Sequence, residues 1–115
     1  MFTYKAQLVR VIDGDTIDVI LDLGFDVHLK SRVRMYGINT PESRTRDLEE
    51  KKRGLAAKDR LTELITGKEI VIKTKLAGER GKFGRVLGRV YVDDHNINDQ
   101  LIEEGHAVPY FGGKR

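Results

Sequence analysis

Between residues 16 and 23, "TIDVILDL", apolar and polar side chains alternate. Ile17, Val19 and Leu21 fall on one side, and Thr16, Asp18, Ile20 and Asp22 on the other, the period-two pattern of a strand. Residues 6–12 ("AQLVRVI") are rich in leucine and β-branched side chains and precede that strand across "DGD". Gly24 marks a turn, after which "FDVHLKSRVRMYGI" reads as a third, longer strand, so the first part of the chain predicts a three-stranded meander. From Gly54 the period changes. Ala57, Leu61, Leu64 and Ile65 lie at i, i+4, i+7 and i+8, one helical stripe with Gly67 as its C-cap. "KEIVIKTKL" alternates again as a fourth strand, "AGERGKFG" is a glycine-punctuated hairpin loop, and "RVLGRVYVD" is a fifth strand. "NDQLIEEG" fits a short helix, with Asn98 as N-cap and Gly105 closing it. Residues 43–53, "SRTRDLEEKKR", are dense in charge of both signs and are expected to form a mobile loop.

Three strands, a helix and two strands is the order of a five-stranded OB-type β-barrel, an α+β fold with two or more short helices. That barrel commonly binds oligonucleotides across one face. The chain of 115 residues suffices for one buried core, so a single domain over residues 1–115 is expected.

Charge refines this picture only slightly. Charged residues make up 34% of the chain, but the formal net charge is +3, a modest basic excess that weakly favours an anionic partner. There is no cysteine, which excludes disulfides and Cys-based zinc sites. "MFTYKAQLVRVIDGDT" lacks the basic and apolar regions of a secretory signal, and no run approaches the ~20 apolar residues that cross a bilayer. A monomeric protein in the cytoplasm, without membrane partners, is the resulting expectation.

Three motifs carry candidate chemistry. "DGDT" sets Asp13 and Asp15 around a glycine at a strand junction, where carboxylates can converge on a hard cation such as Ca²⁺. Asp-Gly pairs are also ordinary turn formers. Asp15 shares the parity of Ile17 and Val19 and should face the barrel, whereas Asp18 points away and is left outside the site. "VRMYGINTPE" contributes Arg34, Asn39, Thr40 and Glu42, although a strand ending in a turn fixed by Pro41 explains the same residues. "GKFGR" places Lys82, Phe83 and Arg85 between glycines, either a solvated hairpin or an arginine fork for phosphate beside a ring for a base or sugar. Together, carboxylates for a cation, a glutamate near them and arginines from separate strands suit phosphoryl chemistry. The cations neutralise a phosphate gaining charge while a carboxylate acts on attacking water.

At these residues the sequence resembles the staphylococcal nuclease (thermonuclease) family. The matching stretches occur in order, "VIDGDT", "VRMYGINTPE", "GLAAKDRLTELITGKEIVIK" and "GKFGRVLGRVYVDDHNINDQLIEEGHA", over residues 9–110. The resemblance implies an OB-type barrel that cleaves single-stranded or frayed DNA and RNA with Ca²⁺, leaving 3′-phosphates and 5′-hydroxyls. It implies that Asp15 is a metal carboxylate supported by Asp13, and that the Thr40 carbonyl reaches the ion. Glu42 would act on the attacking water, and Arg34 and Arg85 would grip the scissile phosphate. Lys82 and Phe83 would belong to the nucleotide-binding loop, with Phe83 keeping the ring of a tyrosine but losing its hydroxyl. Tyr110 or Phe111 would supply a further stacking ring.

One position departs from the family pattern. Asn39 stands where a second metal-binding aspartate is usual. Removing a unit charge about 2.4 Å from a divalent ion forfeits roughly 3.5 kcal/mol even with the dielectric constant of water. A weak metal site is therefore expected, working at millimolar Ca²⁺ or favouring Mg²⁺ or Mn²⁺. The alternative is a catalytically weakened or inactive module that binds nucleic acid or protein. His28, His95 and His106 share no metal-ligand spacing and are read as structural or exposed.

Overall fold

The computed structural model describes residues 2–74 and 85–110. Strand β1 (Phe2–Asp13) pairs antiparallel with β2 (Thr16–Asp22), and β2 with β3 (His28–Met35). On its other edge β1 pairs with β5 (Ile70–Thr74), which pairs with β6 (Val86–Val92). Then β6 runs parallel to β3, with Val33 opposite Val86 and Met35 opposite Gly88. This last pairing joins the two ends of the order β3-β2-β1-β5-β6 and closes the five-stranded barrel expected from the sequence. Two-residue strands complete the ladders: β4 (Ile38–Asn39) pairs with β8 (Val108–Pro109), and β7 (His95–Asn96) extends from β6.

The alternating positions fill the interior. Ile17, Val19, Leu21, Val33 and Met35 meet Ile70, Ile72 and Val90 across the barrel, and helices α1 (Leu48–Ile65) and α2 (Ile97–Glu103) add Leu61, Ile65 and Leu101. Gly88 lies close to this core, and a Cβ there would stand 2.7 Å from the Ile72 side chain.

Three local expectations are corrected. First, β1 starts at Phe2 and not at residue 6, because Phe2 to Ala6 pair with Thr74 to Ile70. Second, residues 48–53 are not a loop but the opening turns of α1, an 18-residue helix. Asp47 caps it by accepting from the Glu49 and Glu50 amides at 3.0 and 3.2 Å, and those two acids complement the helix dipole. These turns are mostly exposed, so they need no apolar stripe. Third, Asn96 and not Asn98 caps α2, accepting from the Asp99 amide at 3.1 Å. Asn98 is buried inside the helix and bridges outward, accepting from Val90 N at 3.0 Å and donating to Tyr36 O at 2.8 Å.

Candidate active site

The turn between β1 and β2 carries Asp15, a buried carboxylate 8% exposed. Its carbonyl accepts from Met35 N at 2.8 Å, which ties the turn to the end of β3. Gly14 makes this approach possible, since a Cβ there would stand 2.8 Å from Ala57 Cβ and 3.1 Å from Thr40 Oγ1. The Asp15 side chain then gathers the neighbouring segment. Oδ1 accepts from Thr16 Oγ1, and Oδ2 from the Thr40 amide, both at 3.0 Å.

Arg34 sits opposite Thr16 in the β2–β3 ladder and completes the group. Its Nη2 lies 3.6 Å from Asp15 Oδ2 and donates to Asn39 Oδ1 at 3.3 Å, while Nη1 donates to Met35 O at 2.9 Å. A cationic nitrogen thus stands between the oxygens of Asp15 and Asn39. Asp15, Arg34, Asn39 and Thr40 therefore converge from three parts of the chain.

The segment bearing Glu42 is held from beneath. Ser43 Oγ donates to Asp13 Oδ1, and Glu42 N donates to Glu50 Oε2 at 3.1 Å. Helix α1 presses directly on this segment through Gly54, where a Cβ would lie 2.3 Å from the Glu42 carbonyl oxygen. Gly54 and Glu50 position the Glu42 backbone, and the Glu42 side chain is exposed to solvent.

Arg85 immediately precedes β6 and borders a cleft of about 610 Å³ shared with Asp13, Thr16 and Arg44. Tyr110 is anchored by its amide, which donates to Gly37 O at 2.8 Å beside the β4–β8 pair, two residues before Asn39. Lys82, Phe83 and Phe111 lie outside the described residues.

Asp18, which strand parity turns away from the barrel interior, lines the cleft that Arg85 borders and is 8% exposed. Its Oδ1 accepts from Arg32 Nε at 2.8 Å, and its Oδ2 from Arg32 Nη2 and Arg10 Nε, each at 3.1 Å. The Arg32 hydrogen bonds outweigh burial and, with Arg10, hold the Asp18 carboxyl below its ordinary range. The missed signal lay in the meander: aligning its strands puts Arg10 and Arg32 directly opposite Asp18.

Among the described residues no three His, Cys, Asp or Glu side chains are grouped so as to hold a metal ion. The three groups named for a cation are the Asp15 carboxylate and the Asn39 amide oxygen, which the structure brings to one guanidinium nitrogen, and the carbonyl of Thr40, whose amide donates to Asp15. All three are hard oxygens, a set that fits a hard divalent cation and not a soft one.

The fold is a five-stranded barrel of OB type, with carboxylate, amide and guanidinium side chains converging at one end of β3. The family model described as "Staphylococcal nuclease homologue" matches residues 32–115, and the chain belongs to that family. It is similar to endonuclease YncB of Bacillus subtilis (strain 168), 34% identical over 103 residues covering 90% of this chain and 46% of that protein. It is also similar to a protein named micrococcal nuclease of Shigella flexneri, 32% identical over 116 residues, 93% of this chain and 59% of that one. A thermonuclease of Staphylococcus hyicus is 31% identical over 109 residues, 95% of this chain and 60% of that protein. The chain thus spans about half the length of the curated relatives it matches. Among the described residues no helix is long and apolar enough to cross a membrane.

Proposed function

We propose that residues 1–115 act as one divalent-cation-dependent phosphodiesterase domain on DNA and RNA, leaving 3′-phosphate and 5′-hydroxyl ends. The observation that carries this reading is the hydrogen-bonded group of Asp15, Arg34, Asn39 and Thr40, assembled from three chain segments. Asp15, Asn39 and the Thr40 carbonyl would hold the ion, with Asp13 in support. When bound, that ion supplies positive charge against the negative charge that grows on the phosphate.

The chain's own groups do the rest. Glu42, exposed on a backbone held by α1, orients and deprotonates a water for attack on phosphorus. The P–O5′ bond breaks, and the departing 5′-oxygen takes a proton from solvent. Arg34 and Arg85 present guanidinium forks to the phosphate oxygens and stabilise the transition state more than the ground state. Lys82, Phe83 and Tyr110 hold the flanking nucleotide by charge and by stacking. The metal is Ca²⁺ bound weakly, or Mg²⁺ or Mn²⁺, because Asn39 brings an oxygen without a charge.

Degradation of single-stranded DNA and RNA is measured across Ca²⁺, Mg²⁺ and Mn²⁺ titrations to about 20 mM, millimolar sites being the weak end of calcium affinities. The Glu42→Gln variant runs beside the wild type. Cleavage in the wild type and its loss in the variant support the reading. No cleavage with any metal, or equal cleavage in the variant, rejects it.

Asn39 favours a second reading, a barrel of the same family that binds nucleic acid without cutting it. Tight, salt-sensitive binding of a strand that stays intact in every metal would select that reading.

A further inference from the structure

Strand β3 carries a row of cations on its outward face. Ser31, Val33 and Met35 are buried, and the alternate positions hold Lys30, Arg32 and Arg34. Strand geometry spaces such alternate side chains about 6.6 Å apart, comparable with successive phosphates along an extended single strand. Arg34 belongs to the candidate active site. Lys30 and Arg32 line the cleft that also borders Arg85 and Arg44. The cleft therefore runs from Arg85, one of the two arginines assigned to the scissile phosphate, to the strand face on which Arg34 follows Arg32.

Asp18 gives the cleft a built feature. It fixes Arg32 through Nε and Nη2 and leaves Nη1 for another acceptor. The Arg32 side chain stays 45% exposed although its carboxylate partner is buried. An ion pair with one partner this exposed contributes little to stability. What it does accomplish is to order a long side chain before any ligand arrives, which lowers the entropic cost of binding. The planar fork of arginine suits phosphate oxygens. The cationic side chains lining the cleft outnumber its two carboxylates, and one of those, Asp18, is engaged by Arg32 and Arg10.

We propose that this cleft is a subsite for the phosphodiester backbone of a single-stranded nucleic acid running on from the candidate cleavage point, with Lys30 and Arg32 as phosphate contacts and Asp18 as the positioning residue for Arg32. The inference takes the strand's path from the nuclease reading, but the cleft binds whether or not the linkage is cut.

The test is equilibrium binding of a fluorescent single-stranded oligonucleotide of about 12 nucleotides, within the range that OB-type folds cover. It is run in EDTA so that cleavage plays no part, and at several salt concentrations. Each phosphate contact on a single strand contributes about 0.7 to the slope of log K against log salt. The double variant K30Q/R32Q should lower that slope by about 1.4 and weaken binding about tenfold at moderate salt. K68Q, outside the cleft, should leave the slope unchanged. Circular dichroism checks folding, and if the double variant does not fold, K30Q alone should lower the slope by about 0.7.

D18N separates positioning from mere proximity. Releasing Arg32 should weaken binding, whereas removing a negative charge that only repels the strand should tighten it. An unchanged slope in folded K30Q/R32Q or K30Q, or tighter binding by D18N, overturns the proposal and leaves the nuclease reading standing. A cleft effect in a protein that cleaves nothing supports the proposal while the nuclease reading falls. If the wild type binds no strand, with or without metal, both fall.

Discussion

Arg34 donates a hydrogen bond to the side chain of Asn39, Nη2 to Oδ1 at 3.3 Å. The acceptor is a neutral amide, so the contact is of the weaker kind, about 0.5–1.5 kcal/mol, against 1.5–3 when a partner such as a carboxylate is charged. The amide proposed to weaken a cation site would thus also weaken a restraint on the arginine assigned to the phosphate. Asn39→Asp should tighten Ca²⁺ binding about tenfold or more, since ligand charge tunes calcium affinity over decades. The metal concentration for half-maximal cleavage should fall in parallel. Calorimetric Ca²⁺ titration without nucleic acid checks the first effect, and unchanged affinity would remove Asn39 from the ligand set.

Gly54 offers a test in which helix propensity and packing disagree. Glycine to alanine inside an exposed helix is ordinarily worth about 1 kcal/mol of stability. Here the added methyl would meet the Glu42 carbonyl at 2.3 Å, with the Ser43 nitrogen at 2.6 Å, and neither atom can swing aside as a side chain can. Gly54→Ala should therefore destabilise the fold by about 1–3 kcal/mol, the range for overpacking. It should also lower the rate of cleavage by displacing Glu42. Urea denaturation gives the first quantity, and a variant as stable as the wild type would show that α1 does not clamp this segment.

Asn98 joins three elements through one amide. Asn98→Ala would leave Val90 N and Tyr36 O without the partner each now has in that side chain. Loss of the acceptor for the buried Val90 amide alone costs about 1–3 kcal/mol, visible as a lower urea midpoint with an unchanged slope. A loss below about 1 kcal/mol would mean that water replaces the amide.

Acid should loosen the tie between α1 and the end of α2. Arg60 Nε and Nη2 donate to Glu104 at 2.6 and 2.9 Å, and Gln100 Nε2 adds a third bond at 2.9 Å. Bonding to Arg60, and then to Gln100, holds the Glu104 carboxyl at about 2, against an ordinary 4.5. Because the folded state resists this proton more than the unfolded chain does, the contribution is complete above pH 4.5 and is lost as pH falls towards 2. Stability measured against pH should drop less steeply for Glu104→Gln than for the wild type across that window. Superimposable curves would show that the pair contributes nothing measurable, as many exposed ion pairs do.

The sequence disclosed the barrel because its strands obey a period of two. Ile17, Val19 and Leu21 were legible as interior, as were Ala57, Leu61 and Ile65 on the helix. The convergence of Asp15, Arg34, Asn39 and Thr40 was legible only through resemblance, since nothing in their spacing fixes a distance. The first turns of α1 were hidden because "LEEKKR" packs little against the core, and its helicity comes from Asp47 and the acids after it. Asn98 was mistaken for a cap because a cap and a buried bridge use the same amide. Parity put Asp18 on the face away from the interior but could not show whether that face is concave. Its concavity depends on Arg44 and Arg85, which are distant along the chain.

The only parallel seam of the barrel among the described residues, β3 against β6, places Arg34 in register with Leu87, two residues beyond Arg85. The seam brings the strand that bears Arg34 beside the strand that Arg85 precedes, through contacts between residues some fifty positions apart. A nascent or half-melted molecule would hold every chemical group and still be inert. On the proposed nuclease reading, closure of the barrel would then serve as its own safety catch, arming the molecule only when β6 meets β3.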